Sequence, residues 1–239
     1  MTNSITEVSQ RTAARVAGFM YLFTMATAVF AAFYVESRII VYNDAAQTAS
    51  NIIASERLFR IGIASELITW AGVVVLILAL YVLLKPVNQH LALLAVFWRI
   101  VETSIFCVIS LISLVVLLLL SGADYLKAFE TNQLQALARL AISAHGAGYN
   151  VGLIFVGLGS TVFSYLLFKS RYVPRALAAW GVFSSLVLLT GALAIIVFPS
   201  WRATLTPGYF APITIYEVTV GFWLLLKGAR IQSSAPQAV

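Results

Sequence analysis

Six stretches of the chain, near residues 15–34, 60–84, 91–120, 148–168, 176–198 and 210–226, are almost continuously apolar and are bounded by charges, prolines or polar loops. A hydrocarbon core about 30 Å thick takes roughly 20 helical residues to cross, so each stretch reads as one transmembrane helix. The six prolines, Pro86, Pro174, Pro199, Pro207, Pro212 and Pro236, fall in connections, at the ends of these stretches or in the tail. Their missing N–H groups cost least there, and the spacing predicts straight, unbroken spans.

Two segments between the spans alternate at helical period without being long enough to cross. Residues 43–56 begin with the capping candidates Asn43 and Asp44 and put Ala45, Ala46, Ala49, Ile52 and Ile53 on one face. Residues 133–145 put Leu134, Leu137, Ala138 and Ala141 on one face, with Gln135, Arg139 and Ser143 opposite. Both are expected to be short helices at the outer interface. The predicted fold class is therefore all-α: a polytopic six-transmembrane-helix bundle with two short outer interfacial helices and both termini cytoplasmic. Residues 1–14 form a cytoplasmic leader, 15–230 a single six-span transmembrane domain, and 231–239 a disordered cytoplasmic tail.

Composition supports lipid as the solvent. Hydrophobic residues make up 61% of the 239 positions and charged residues only 10%, and the mean hydropathy is +0.95, outside the range of water-soluble domains. The net charge of +6 does not point to nucleic acid, because the basic residues stand singly at span ends and form no patch or stripe. Cys107 is the only cysteine, which rules out an internal disulfide and a cysteine metal cage. The first apolar run follows a long polar leader and lacks a small-x-small cleavage site at Val29–Tyr34, so it is expected to be a retained span.

Orientation follows from Lys and Arg near the span ends. Arg11, Arg15, Lys85, Lys169, Arg171, Arg175, Lys227 and Arg230 share one side; Arg38, Arg57, Arg60, Lys127, Arg139 and Arg202 share the other with several acids. The bias puts both termini inside. Three inward-running spans end alike, as Tyr81-x-x-x-Lys85, Tyr165-x-x-x-Lys169 and Trp223-x-x-x-Lys227. An aromatic belt with snorkelling lysines accounts for this without a tandem repeat. Span four carries Gly148 and Gly152 at four-residue spacing, which suits close helix contact within the chain or with a homo-oligomer or membrane-protein partner.

Several short motifs recur in a definite order: Arg15-Val-Ala-Gly18 with Tyr21-Leu22, Ala49-Ser-Asn51-Ile52 with Leu58-Phe59-Arg60, and Leu91-Ala92-Leu93 before Arg99 and Glu102. Lys169-Ser170-Arg171 with Pro174-Arg175, and Glu217 before Trp223-Leu224, complete the series. In that order the chain resembles a bacterial family of integral membrane proteins known as domain of unknown function 4386. The resemblance implies a six-span protein of the bacterial inner (cytoplasmic) membrane. It brings no activity, cofactor or catalytic residue with it.

Ionisable side chains at membrane depth are functional candidates by default, because they cost several kcal/mol unless paired or hydrated. At 1.5 Å per residue from the inner end, Arg99, Glu102 and Glu217 lie about 12, 16 and 14 Å in, near the middle of the bilayer. Arg99 and Glu102 are three residues apart and so face the same way. If they pair, Glu217 is left in apolar surroundings; alternatively Arg99 bridges both acids. Glu66 and Asn150 come out at about 27 Å, with His145 and Tyr149 just beyond, and form a second, outer polar group.

His90 and His145 are the only histidines, and no spacing suits a metal or a cofactor, so none is expected. No nucleophile elbow or phosphate-cradling glycine motif occurs, and no catalytic residue is assigned. Three functions stay open: binding, sensing or transport of a small solute or proton through the Arg/Glu cluster; a non-catalytic bundle serving as partner or accessory subunit; and an intramembrane enzyme.

Overall fold

The computed structural model describes residues 2–41 and 43–231, with side chains from residue 9 onward. Eight helices account for most of the chain, and no strand occurs among the described residues. They are α1 (Thr2–Val29), α2 (Ser37–Ile39), α3 (Ala45–Ala54), α4 (Glu56–Leu84), α5 (Gln89–Leu119), α6 (Thr131–Ser170), α7 (Arg175–Val197) and α8 (Arg202–Leu226). Six helical segments are long and apolar enough to cross a membrane, beginning at Ser9, Glu56, Gln89, Thr131, Arg175 and Pro199.

These six close into a ring in chain order. α1 packs on α4, α4 on α5, α5 on α6, α6 on α7, α7 on α8, and α8 returns to α1. Close approach at the closing seam depends on Gly18, where a Cβ would meet the backbone of Gly221, Leu224 and Leu225 on α8. One continuous apolar core runs through the ring and includes Tyr21, Leu83, Ala95, Phe106, Leu166, Leu188 and Tyr216. A smaller core at the opposite end from Lys85, Lys169 and Lys227 joins Val35, Ile39, Ile52, Phe59, Ile63, Val116, Leu117 and Ala138.

The helices are less regular than the apolar pattern suggests. Span one does not run straight: Phe30–Glu36 is a π-helical segment before the chain turns at Ile40. The last span is not proline-free: α8 begins eight residues before the expected boundary, which takes in Pro207 and leaves Pro212 well inside the helix and not at its start. Each proline removes an N–H that would bond the carbonyl four residues back. Trp180 Nε1 donates to the Pro212 carbonyl at 3.1 Å, tying α7 to α8 at this irregularity.

The connections also differ from expectation. Residues 133–145 are helical, yet they form the first third of the 40-residue α6 and do not make a separate interfacial helix. A reciprocal cap between Glu130 and Gln133 starts that helix. The segment around residue 50 is α3, capped by Asp44, which accepts from Gln47 N at 2.8 Å. It buries Thr48, Ala49 and Ile52, while Ile53, expected on the same face, stays 60% exposed. The leader is already part of α1. Residues 232–239, where a disordered tail is expected, lie outside the described residues.

Candidate functional site

α5 carries a buried stripe at helical period, Arg99, Glu102, Thr103, Phe106 and Ser110, facing the ring interior. Asn88 opens this helix by accepting from Leu91 N, which fixes where the stripe starts. Arg99 Nη1 and Glu102 Oε2 form an ion pair at 2.8 Å, with side chains only 6% and 2% exposed. The angles fall short of a hydrogen bond, so both atoms keep unused hydrogen-bonding capacity. Across from them, Gly159 on α6 leaves the room that the aliphatic stem of Arg99 fills.

Glu217 lies on the inward half of α8, next to the fully buried Tyr216. Its carboxylate is within electrostatic reach of Arg99 and of Glu102. No ion pair or hydrogen bond engages Glu217 among the described residues. Tyr216 is held differently: Ser164 Oγ donates to its hydroxyl at 2.9 Å. Its ring occupies the space left by Gly181. Tyr21, from α1, is within long-range electrostatic influence of Arg99, Glu102, Tyr216 and Glu217 and bonds none of them. The middle of the ring thus gathers two acids, one guanidinium and two phenols from three helices.

A second polar group sits nearer the smaller core. His145 Nε2 on α6 and Glu66 Oε1 on α4 are 3.6 Å apart, with side chains 18% and 23% exposed. Ser110 Oγ donates to Glu66 Oε2 at 2.9 Å, and Trp70 Nε1 donates to Ser110 Oγ at 3.3 Å. Tyr149 stacks on Phe106, which stacks in turn on Trp70, with centroids 5.0 and 4.3 Å apart. These three rings stand between the outer group and the Arg99–Glu102 pair. Asn150 does not join the outer group: its side chain points to α7, where Nδ2 donates to the Ala192 carbonyl at 2.8 Å.

The sequence reading named Arg99, Glu102 and Glu217 but missed Tyr21, Ser164 and Tyr216. Tyrosines and serines are frequent in apolar spans, so type alone marks none of them; Tyr216 beside Glu217 was the available hint. The glycine face of α6 also resolves. A Cβ at Gly148 would meet Ile109, and one at Gly152 would meet Phe106. α5 occupies that face within the chain.

Among the described residues no group of three or more His, Cys, Asp or Glu side chains is placed to hold a metal. Ring closure, six apolar spans and charge enclosed at mid-depth define a polytopic α-helical membrane protein. The family described as Domain of unknown function (DUF4386) matches residues 16–228, and the chain belongs to it. The chain is also similar to an uncharacterised protein of the archaeon Archaeoglobus fulgidus, 26% identical over 157 residues, which is 64% of this chain and 75% of that one. No solved structure matches it significantly.

Proposed function

We propose that the protein binds and exchanges protons, alone or with a small solute, at the cluster of Tyr21, Arg99, Glu102 and Glu217. The observation that carries this reading is Glu217: a partly buried carboxylate on a membrane-spanning helix, within electrostatic range of an acid and a guanidinium already paired with each other, and without a hydrogen-bond or ion-pair partner among the described residues. One guanidinium cannot neutralise two carboxylates, so an ionised Glu217 leaves the cluster one negative charge in excess. A proton or a solute cation cancels that excess. Arg99 acts as counter-charge, and Tyr21 supplies a hydroxyl able to donate or accept. The charge bias of the loops supports an orientation with Lys85, Lys169 and Lys227, and both termini, on the cytoplasmic side; the inner membrane of a bacterium is the location that the family resemblance implies.

Purified protein in liposomes under an imposed pH gradient tests this. The wild type is expected to dissipate the gradient faster than empty vesicles, and Glu217→Gln to fall to the empty-vesicle rate while remaining monodisperse. Absence of flux in a folded wild type, across a panel of small solutes, removes the transport form of the proposal.

A non-catalytic bundle acting as an accessory subunit is the second reading. It is favoured by a shallow exposed apolar surface at the start of α6, formed by Phe129, Leu137 and Leu140, each at least 39% exposed.

A further inference from the structure

Four basic side chains gather where α6 turns into α7. Lys169, Arg171 and Arg175 belong to the turn itself, and Arg230 is brought in from beyond α8, its backbone N–H donating to the Tyr172 carbonyl at 3.0 Å. Gln10 Nε2 on α1 donates both to the Tyr172 hydroxyl and to the Leu83 carbonyl at the end of α4, at 3.2 Å each. This clasp joins the ends of α1, α4 and α6 to the segment following α8, so the backbone positions that carry the cations are tied together. The turn is tight: Arg171 takes a left-handed backbone, with φ 59°, and Val173 is buried beneath it.

All four side chains are exposed. None is paired with an acid among the described residues. Two of them also lie against aromatic rings rather than reaching into bulk water. The Arg175 guanidinium is 5.6 Å from the centroid of Phe168, and that of Arg230 is 5.3 Å from the centroid of Trp223. Both rings stand within the last turns of transmembrane helices, the level at which lipid headgroups meet acyl chains.

We infer that this cluster is a binding site for the headgroup of an anionic phospholipid, and that a headgroup with two phosphates fits it better than one with a single phosphate. Guanidinium groups bind phosphate through two parallel N–H donors. Four unpaired cations at one turn exceed what a single phosphate monoanion neutralises, and the neighbouring Phe168 and Trp223 offer apolar surface to the acyl chains. Basic clusters between helix ends on the cytoplasmic side attract lipids of this charge. The inference does not depend on proton exchange at the midplane.

Full-length protein, delipidated in detergent, is titrated with tetra-acyl diphosphatidylglycerol, phosphatidylglycerol, phosphatidylcholine and inorganic phosphate, and bound species are read by native mass spectrometry. The expected order is the two-phosphate lipid first, phosphatidylglycerol next and phosphatidylcholine last, at least tenfold weaker than the first. Arg171→Gln/Arg230→Gln is expected to lose about tenfold for the two-phosphate lipid. Arg171→Lys/Arg230→Lys keeps the charge without the paired N–H donors and is expected to bind more than the glutamine pair and less than the wild type, which separates loss of charge from loss of fold. Arg57→Gln/Arg60→Gln, at the opposite end, leaves it unchanged. Equal retention of phosphatidylcholine, indifference to the glutamine pair, or full displacement by inorganic phosphate overturns the assignment.

Discussion

At the centre of the ring, Arg99 and Glu102 meet on one helix at 2.8 Å with almost no exposure. Nearer the smaller core, Glu66 and His145 come from two helices, stand 3.6 Å apart and keep about a fifth of each side chain exposed. The first contact is local, since any helix through these residues brings positions three apart together. The second exists only because α4 and α6 both face α5, whose Ser110 holds the acid. A local pair survives small movements of the helices around it, whereas a pair between helices reports on them. The enclosed pair is also the one whose rupture leaves an uncompensated charge buried in the protein.

This contrast ranks the effects of substitution. Arg99→Met strands Glu102 in the core and is expected to cost about 3–5 kcal/mol, enough to remove most monodisperse protein in detergent. Arg99→Met/Glu102→Met restores the folded yield, because two well-packed apolar side chains replace a buried pair at little net cost. If the double variant is as unstable as the single one, the ion pair does not act as a unit and the contrast fails.

Gly181→Ala acts on the same region through volume instead of charge. A Cβ there would press on the ring of Tyr216 and lie 2.7 Å from Ser164 Oγ. The expected loss is about 1–3 kcal/mol, read as a lowered melting temperature. Glu66→Gln is the mildest change: the amide still accepts from Ser110, and the partly exposed contact to His145 is worth less than about 1 kcal/mol. A melting temperature that falls further for Glu66→Gln than for Gly181→Ala would invert the ranking.

How much of this was legible before the fold was known follows the same division. Apolar runs mark the six spans because lipid demands them, and Arg99 with Glu102 needed only helical spacing. The π-helical segment at Phe30–Glu36 has no such signature: Phe-Ala-Ala-Phe-Tyr-Val reads as ordinary helix, and packing against α4 accompanies the altered winding. Pro207 and Pro212 looked like boundary markers, yet α8 continues through them, and Trp180 on the neighbouring helix adds a bond to the Pro212 carbonyl. Asn150 shared a depth with Glu66 but faces another direction, since depth comes from residue counts while azimuth depends on how α6 is rotated. For the same reason Tyr21 and Tyr216 became visible only once α1 and α8 were seen to close the ring.

The central claim is that Glu217 exchanges a proton inside the bundle while Arg99 and Glu102 compensate each other. Infrared difference spectra of the protein in lipid between acid and alkaline buffer test it most directly, since a carboxyl group that gains or loses its proton gains or loses a C=O stretching band. The account predicts one such band that disappears in Glu217→Gln and persists in Glu66→Gln. A band unchanged in Glu217→Gln would contradict it.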